Sequence, residues 1–491
     1  MLNARPLQLL TFMKMTLSLT LAAALVAHTS LAASDAETIQ RNWPQWRGPT
    51  AKGVAPLAQP PVTWSETEHV KWKLKIPGLG TSTPIVWENQ VFIVTAIPTG
   101  KKTEPAAPPA AAVPEPAVGE GEGRRRRGGG MRAEKPSEAY QFVVLAVDRT
   151  TGKIAWQKTA REEVPHEGHH RDHGFASASP VTDGEHLYAS FGSRGIYCFD
   201  LKGELKWEKD LGDMQTRNAF GEGASPAVHG EFVVVSWDHE GEDFIVALDK
   251  RTGQERWRQK RDEPTTWSTP LIVEHEGKPQ VVVSATNKIR SYDLATGAPV
   301  WESSGMTGNV VPTPVSDFGM LYAISGFRGA SLLAIRLGKS GDLTDSSEAI
   351  AWRHSKSTPY VPSPLLYGDR LYFFAGNTGT LSCFDAKTGK PHFEAERISV
   401  GRTASDPQES KKAGFDEIRR DLLGGVYASP VGAADRLYLV GRDGKTVVIK
   451  NADKIEALAT NKLEDKFDAS AAIAGKELFL RGHEFLYCIA E

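Results

Sequence analysis

The sequence has almost no excess charge, little cysteine and no long hydrophobic run, and each shortage excludes a class of protein. Its 58 basic and 60 acidic side chains give a formal net charge of -2, so no overall charge recruits nucleic acid or an anionic membrane. No apolar run reaches the roughly 20 residues that a membrane-spanning helix needs. The three cysteines, Cys198, Cys383 and Cys488, stand far apart in the chain. These shortages predict a soluble mature protein.

The N-terminus carries the features of an export signal. Lys14 precedes the apolar stretch MTLSLTLAAALVA, and the small residues Ser30 and Ala32 precede a plausible cleavage point. We therefore predict a signal peptide over residues 1–32 and an N-terminal extension over residues 33–63. No cysteine stands at the cleavage point, so a lipid anchor is not supported. The expected protein is periplasmic or secreted, and most simply a monomer.

A repeated unit organises the rest of the chain. Each copy opens with Ser-Pro or Thr-Pro and continues into an apolar strand. The openings stand at Thr83, Ser179, Ser225, Thr269, Thr313, Ser363 and Ser429, with a degenerate eighth copy at Ser470-Ala471. Further stretches rich in Val, Tyr and Phe follow each opening, such as HLYASF and RLYFFAG, with no long helical pattern between them. Four-stranded units of about 40 to 50 residues are typical of propeller blades.

A turn of the form D-x-x-T-G-x-x-x-W joins the third and fourth strands of several units, as in DRTTGKIAW and DKRTGQERW. The Asp side chain accepts hydrogen bonds from the turn, and Gly supplies the positive φ that closes the hairpin. Four residues after the glycine stand Trp156, Trp207, Trp257 and Trp301, which we expect to fill the gaps between blades rather than to bind a ligand. The sequence thus predicts an all-β fold, an eight-bladed β-propeller of four-stranded blades over residues 64–491.

The two ends of the chain supply the same blade. After Ser470 only three strand patterns remain, AAI, ELFLR and EFLYCI, so the last blade lacks a fourth strand. The stretch HVKWKLKI precedes the first repeat and alternates Val70, Trp72, Leu74 and Ile76. We expect this N-terminal strand to complete the last blade, which closes the ring without an exposed sheet edge.

With its repeated ALD..TG...W pattern, the chain resembles the pyrroloquinoline-quinone (PQQ)-like repeat β-propellers over nearly all of residues 64–491. The resemblance implies kinship with two functional classes. One contains the quinoprotein alcohol dehydrogenases, and the other contains noncatalytic propellers such as the lipoprotein of the outer-membrane assembly machinery. The fold alone does not choose between them.

The resemblance also implies how the dehydrogenases hold their quinone, with a disulfide between adjacent cysteines, a stacking tryptophan, a calcium ion and a catalytic aspartate. Here the three cysteines fall on third strands of the second, sixth and eighth blades, so we predict buried thiols. Asn218, Asp262 and Asn309 show no spacing typical of a calcium site. Our leading interpretation is an exported noncatalytic binding module or scaffold for a cell-envelope protein, without a cofactor. The alternative is a PQQ-dependent oxidoreductase with PQQ and calcium.

The stretch VPHEGHHRDHG satisfies the H-E-x-x-H pattern of zinc peptidases. That pattern binds zinc only when His166 and His170 lie one helical turn apart. Here it lies in a predicted interblade loop in which Pro165, Gly168 and Gly174 disfavour a helix, so a zinc hydrolase is a remote alternative. The loop histidines His166, His169, His170 and His173 are candidate metal ligands or, more simply, hydrogen-bonded loop residues.

Long connections concentrate on one face of the predicted propeller. Residues 98–139, which contain RRRR, are predicted to form a disordered insertion in the first blade. A second insertion, Ser399 to Tyr427, separates the sixth and seventh blades. Together with the histidine loop, both lie opposite the tight turns. We expect a partner or ligand at the channel mouth on this face, near Arg217, Asn218, Trp267 and Tyr360. The alternatives are that Trp267 only packs against a loop and that the insertions have no binding function.

Overall fold

The computed structural model describes residues 36–102, 132–398 and 423–491, which are almost entirely β. Within these ranges the helical residues are 36–41 and two single 3₁₀ turns, Gly192–Arg194 and Arg217–Ala219. The strands form eight antiparallel blades, each with four strands in sequence order from the inside outward except the last. The eight-bladed propeller predicted from the repeats is confirmed.

The first four blades lie consecutively along the chain. Their strands are β2 to β5 (Ile85–Trp87, Gln90–Lys102, Glu138–Asp148, Ile154–Glu163), β6 to β9 (Val181–Thr182, His186–Ser190, Ile196–Asp200, Leu205–Lys209), β10 to β13 (Ala227–His229, Phe232–Trp237, Phe244–Asp249, Glu255–Lys260) and β14 to β17 (Leu271–His275, Lys278–Val283, Ile289–Asp293, Pro299–Ser303). The fourth blade gains a short fifth strand, β21 (Gly341–Asp342), parallel to β17.

The remaining blades follow the same order until the ring closes. Their strands are β18 to β20 and β22 (Val315–Asp317, Met320–Ser325, Ser331–Arg336, Ile350–His354), β23 to β26 (Leu365–Tyr367, Arg370–Phe374, Thr380–Asp385, Pro391–Arg397), β27 to β30 (Val431–Ala433, Arg436–Val440, Lys445–Lys450, Ala457–Lys462) and β31 to β33 with β1 (Ala472–Ala474, Glu477–Arg481, Phe485–Ile489, Val70–Lys75). In the last blade β1 pairs antiparallel with β33, from Val70 opposite Ile489 to Lys75 opposite Phe485. The predicted closure by an N-terminal strand is confirmed.

The D-x-x-T-G turn connects several blades to the outer strand of the preceding blade. In the first blade the carboxylate of Asp148 accepts hydrogen bonds from the Thr151 amide (2.7 Å) and hydroxyl (2.8 Å). Gly152 has a φ of +68°, and a Cβ there would lie 2.6 Å from the ring of Trp72 in β1. The Trp72 indole also donates to the Arg149 carbonyl at 2.8 Å. A tryptophan on one outer strand therefore covers the turn of the next blade and bonds to it.

This pairing repeats around the ring. The pairs are Trp156 on Gly203, Trp207 on Gly253, Trp257 on Gly297 and Trp352 on Gly389. Each indole donates to a carbonyl of the neighbouring turn at 2.8 to 3.0 Å. Trp301 differs because the residues after Gly338 replace the usual turn, and its indole nitrogen lacks a hydrogen-bond partner in the described chain. The outer tryptophans are thus packing residues, as expected.

The Ser/Thr-Pro openings form a ring of hydrogen bonds around the channel. In the first seven blades, the backbone N–H of the opening residue donates to the hydroxyl of the opening residue in the next blade, from Thr83 to Ser179 through to Ser429 and Ser470. All seven bonds measure 2.8 to 3.0 Å. A hydroxyl is therefore required at this position, whereas the following proline has no N–H to satisfy.

The cysteines lie where the repeat placed them, in β8, β25 and β33, and all three are buried free thiols. Burial raises the pKa of Cys198 and of Cys383 to about 12. A thiol with so high a pKa is not a nucleophile at neutral pH, so the cysteines serve as small core residues.

The predicted boundaries of the first insertion need correction. Residues 98–102 belong to β3 and residues 138–139 to β4, where Pro98 pairs with Tyr140. The strand pattern was obscured because residues 98–102 include Pro, Gly and Lys, which are depleted in strands. The Arg124 to Arg127 run lies outside the described residues, as do residues 399–422 of the second insertion.

Candidate functional site

A cavity of about 1080 Å³ occupies the centre of the propeller. All eight residues of the hydroxyl ring line it, so it lies on the channel axis at the face where the inner strands begin. Because long connections also emerge on this face, the cavity combines a rigid base with variable walls.

The N-terminal extension crosses the channel beneath the cavity. The carbonyl of Pro44 accepts a hydrogen bond from Thr182 in the second blade at 2.9 Å. Three residues later, Arg47 donates to the carbonyl of Pro364, beside the sixth blade, at 2.6 Å. The second and sixth blades are opposite each other in a ring of eight. Trp46 lies between these two contacts and lines the cavity, so the extension supplies its floor.

The four mouth residues predicted from the sequence all line this cavity. Arg217 is exposed and donates to the Asn309 side chain at 3.2 Å. Asn218 is exposed in a left-handed conformation with a φ of +56°. The half-buried indole of Trp267 donates to the Gly221 carbonyl at 2.7 Å, and burial raises the pKa of Tyr360. The structure thus brings these four residues to one cavity. That they bind a partner or ligand stays a prediction.

Sequence reasoning missed several lining residues. Trp46, Arg171, Phe220, Phe327 and Arg328 also face the cavity. The Phe327 ring lies 4.8 Å from that of Tyr360. Phe327 and Arg328 occupy the connection between the second and third strands of the fifth blade, and the repeat register places such connections at the mouth. The stretch GFRG was therefore a usable signal.

The charge of the cavity is positive once its ion pairs are considered. Its two acids, Asp172 and Asp468, both bind Arg442, at 3.0 and 2.5 Å. Burial alone would raise their pKa values, but hydrogen bonds from Arg442 and its neighbours lower the pKa of each. Neither Arg217 nor Arg328 forms an ion pair with any described residue. The free charge at the mouth therefore comes from guanidinium groups.

The histidine loop forms one wall and is not helical. Residues 164–170 contain no helix, so His166 and His170 are not held as the zinc-peptidase pattern requires. His166 Nε2 lies 2.6 Å from the Met214 carbonyl, whereas the His170 ring meets the edge of Phe220 at 4.9 Å. The loop is tied across the mouth by Asp172, which also accepts from the Tyr427 hydroxyl at 3.2 Å.

The four loop histidines do not converge on one point. The His169 ring packs against Phe175 at 4.6 Å. The His173 ring is partly buried in the cavity wall, and burial lowers its pKa to about 4. Among the described residues, the one group of three or more potential ligands with atoms within 4.8 Å of one another is His166, Glu167 and Glu222. Glu222 was not predicted, because it lies 55 residues beyond Glu167 in a different loop.

Both insertions reach the same rim. The Ala133 amide, near the end of the first insertion, donates to the Asn218 carbonyl at 2.9 Å. Tyr427, at the end of the second, lines the cavity and stacks under Arg442 at 3.9 Å. The described ends of the insertions therefore lie at the mouth, as the repeat register predicted.

A family profile matches residues 141–395, just over half of the chain, and its description is "Outer membrane protein assembly factor BamB". The chain belongs to this family. Its repeats are thus PQQ-like repeats, and the resemblance found in the sequence is confirmed. A search of curated proteins found no match.

Solved structures show the same fold at low sequence identity. A europium-containing methanol dehydrogenase is 10% identical, covers 92% of this chain and 98% of its own, and has a TM-score of 0.58. The quinohemoprotein alcohol dehydrogenase from Comamonas testosteroni is 10% identical over 94% of this chain and 84% of its own, with a TM-score of 0.54. BamB from Moraxella catarrhalis is 15% identical over 72% and 89%, with a TM-score of 0.46. The two dehydrogenases, whose TM-scores exceed 0.5, show the fold, and at identities this low they show no activity.

Proposed function

We propose that the protein is a noncatalytic binding module that holds a protein of the cell envelope at its channel mouth. The observation that carries the proposal is the central cavity, which is closed below by the N-terminal extension and lined by aromatic rings and unpaired arginines. Aromatic and arginine side chains are the residues that most often dominate protein interfaces. An acidic segment with an aromatic or apolar anchor matches this surface in charge and shape.

The proposed location is the cell envelope, outside the cytoplasm. The expected signal peptide falls on residues 1–32, which the structure does not describe. In the described ranges, no helix has the length and apolar character to cross a membrane. The family description names an outer-membrane assembly factor, which is consistent with an envelope partner.

The test is capture of the partner by protein lacking residues 1–32, followed by measurement of Kd with the purified partner. Replacing Arg217, Trp267 and Tyr360 with alanine should weaken binding at least tenfold. The matched control replaces Lys339 and Asp342, which lie on the opposite face beside β21, and should leave Kd unchanged. Binding that survives the first set and fails with the second would reject the assignment.

The second candidate is a PQQ-dependent oxidoreductase, which the size of the cavity and the position of Trp267 favour. The fit is incomplete. Calcium in such sites needs carboxylate and amide oxygens, yet the two acids that line the cavity, Asp172 and Asp468, are bound by Arg442. We therefore derive no catalytic step. A dye-linked alcohol assay after incubation with PQQ and calcium distinguishes the two candidates. Dye reduction above a protein-free control would support the oxidoreductase and reject the binding-module proposal.

A further inference from the structure

A second cavity of about 40 Å³ shares part of its wall with the central one. Trp267 lines both cavities. The small cavity is bounded by the start of the histidine loop and by residues of the second and third blades, and its lining includes His166, Glu167 and Glu222. Its volume suits a single ion or water rather than an organic ligand.

The two carboxylates are held in place by neutral donors. Glu222 accepts hydrogen bonds from the Ser193 amide at 2.6 Å and the Ser193 hydroxyl at 2.5 Å. Glu167 accepts from the Thr216 amide at 3.1 Å and from its hydroxyl. Gly192 has a φ of +57°, and a Cβ there would lie 1.5 Å from Glu222 Oε2. The backbone is therefore shaped around the Glu222 carboxylate.

The pair lacks a counter-charge. Glu167 is 8% exposed and Glu222 is partly buried, yet no described Lys or Arg forms an ion pair with either. The nearest guanidinium, Arg194, is engaged by Glu163 and Asp213. Carboxylates placed close together away from water need a cation or a shared proton, because unpaired burial of their charge is costly.

His166 supplies the feature that favours a cation. One of its ring nitrogens lies within 4.8 Å of carboxylate oxygens of both glutamates. Ligands held about 2.0 to 2.2 Å from one ion are at most about 4.4 Å apart, so small side-chain rotations bring all three into range. Its nitrogens now contact the Met214 carbonyl and Arg194, so an ion bound by His166 would replace one of these contacts.

We propose that His166, Glu167 and Glu222 bind one divalent transition-metal ion that ties the histidine loop to the second and third blades. One imidazole with two carboxylates is a ligand set suited to Zn²⁺ or Mn²⁺. The site is separate from the four-histidine hypothesis, with which it shares only His166. It does not depend on the proposed binding function.

The test uses untagged protein without residues 1–32, stripped with EDTA and then dialysed against Zn²⁺ or Mn²⁺, with Mg²⁺ for comparison. Wild-type protein should retain about one ion per chain, and saturating ion should raise Tm by at least about 2 °C. Glu222→Gln and Glu167→Gln should lose both effects. His170→Asn, which changes an outer histidine of the same loop, should keep them.

Three outcomes would overturn the proposal. Wild-type protein that retains no ion and shows no change in Tm would do so without any variant, even if the variants fail to fold. Retention lost in His170→Asn but kept in Glu222→Gln would place the ion on the outer histidines. If metal ions left the Tm of the wild type unchanged and Glu222→Gln had the same Tm as the wild type, the two glutamates would share a proton and bind no ion.

Discussion

The two faces of the propeller differ in how regular their connections are. The turn face carries the D-x-x-T-G turns, and the mouth face carries the connections around the central cavity. On the turn face, Asp148, Asp249, Asp293 and Asp385 make the same bonds to a threonine three residues on. On the mouth face the connections differ in length and composition from blade to blade, from the histidine loop to the two insertions. The repeated face encodes how blades join, since every copy meets the same neighbour. The irregular face is free to vary, and loops of this kind on a rigid scaffold are where binding residues are usually found in proteins.

The largest effect should come from breaking the ring itself. Deleting residues 64–76 removes β1 and Trp72, which leaves the outer edge of β33 without a partner strand and the first D-x-x-T-G turn uncovered. We expect aggregation or a loss in Tm of more than about 5 °C, measured by light scattering and thermal melting. Deleting residues 36–41 is the control and should change little. A monomeric deletion with an unchanged melting curve would contradict the closure.

A tryptophan on each face separates stability from binding. Trp207 is 8% exposed and packs on Gly253, so Trp207→Ala should lower the free energy of unfolding by about 3 to 5 kcal/mol. Trp267→Ala removes one hydrogen bond and the packing of a half-buried ring, so it should cost less, about 1 to 3 kcal/mol, while it weakens partner binding. Urea titration gives the first quantity and the Kd of the partner the second. If Trp207→Ala and Trp267→Ala lowered the free energy of unfolding equally, the proposed division of stability and binding between the two faces would be wrong.

The hydroxyl ring lines the cavity on the mouth face but repeats in every blade, and we expect an intermediate effect there. Ser225→Ala leaves the buried Ser179 amide without its acceptor, which costs about 1 to 3 kcal/mol. Ser225→Thr is the matched control, because threonine fills the same position at Thr83, Thr269 and Thr313. Urea titration of both variants tests this. If Ser225→Ala were as stable as Ser225→Thr, the hydroxyl ring would not contribute to the free energy of unfolding as the geometry indicates.

The sequence predicted the repeated face far better than the mouth. Eight copies of one unit placed the blades, the tryptophans and the closing strand, because each copy reports the same local physics. The register of the repeat also brought Arg217, Asn218, Trp267 and Tyr360 to one cavity. Contacts that occur once had no such support. The crossing of the channel by Arg47, and the meeting of Glu167 with Glu222, depend on loop conformations that no other copy repeats.

The smallest effect concerns the mouth wall and depends on pH. Burial lowers the pKa of His173 to about 4, whereas a histidine in the unfolded chain titrates near pH 6.5. Between these values the unfolded chain binds a proton that the folded protein does not, so stability is lost as pH falls from about 6.5 towards 4.

Replacing His173 with asparagine removes this titration while it keeps a polar side chain beside the Gly174 carbonyl and the Ser177 hydroxyl, which the ring now contacts. The wild type should therefore lose about 1 to 2 kcal/mol more than His173→Asn between pH 7 and pH 4.5. Urea titrations of both proteins at each pH measure the difference, and other groups cancel because they titrate in both. Parallel stability curves would mean that the ring is open to water, and that the histidine loop lies less closely over the cavity than the structure shows.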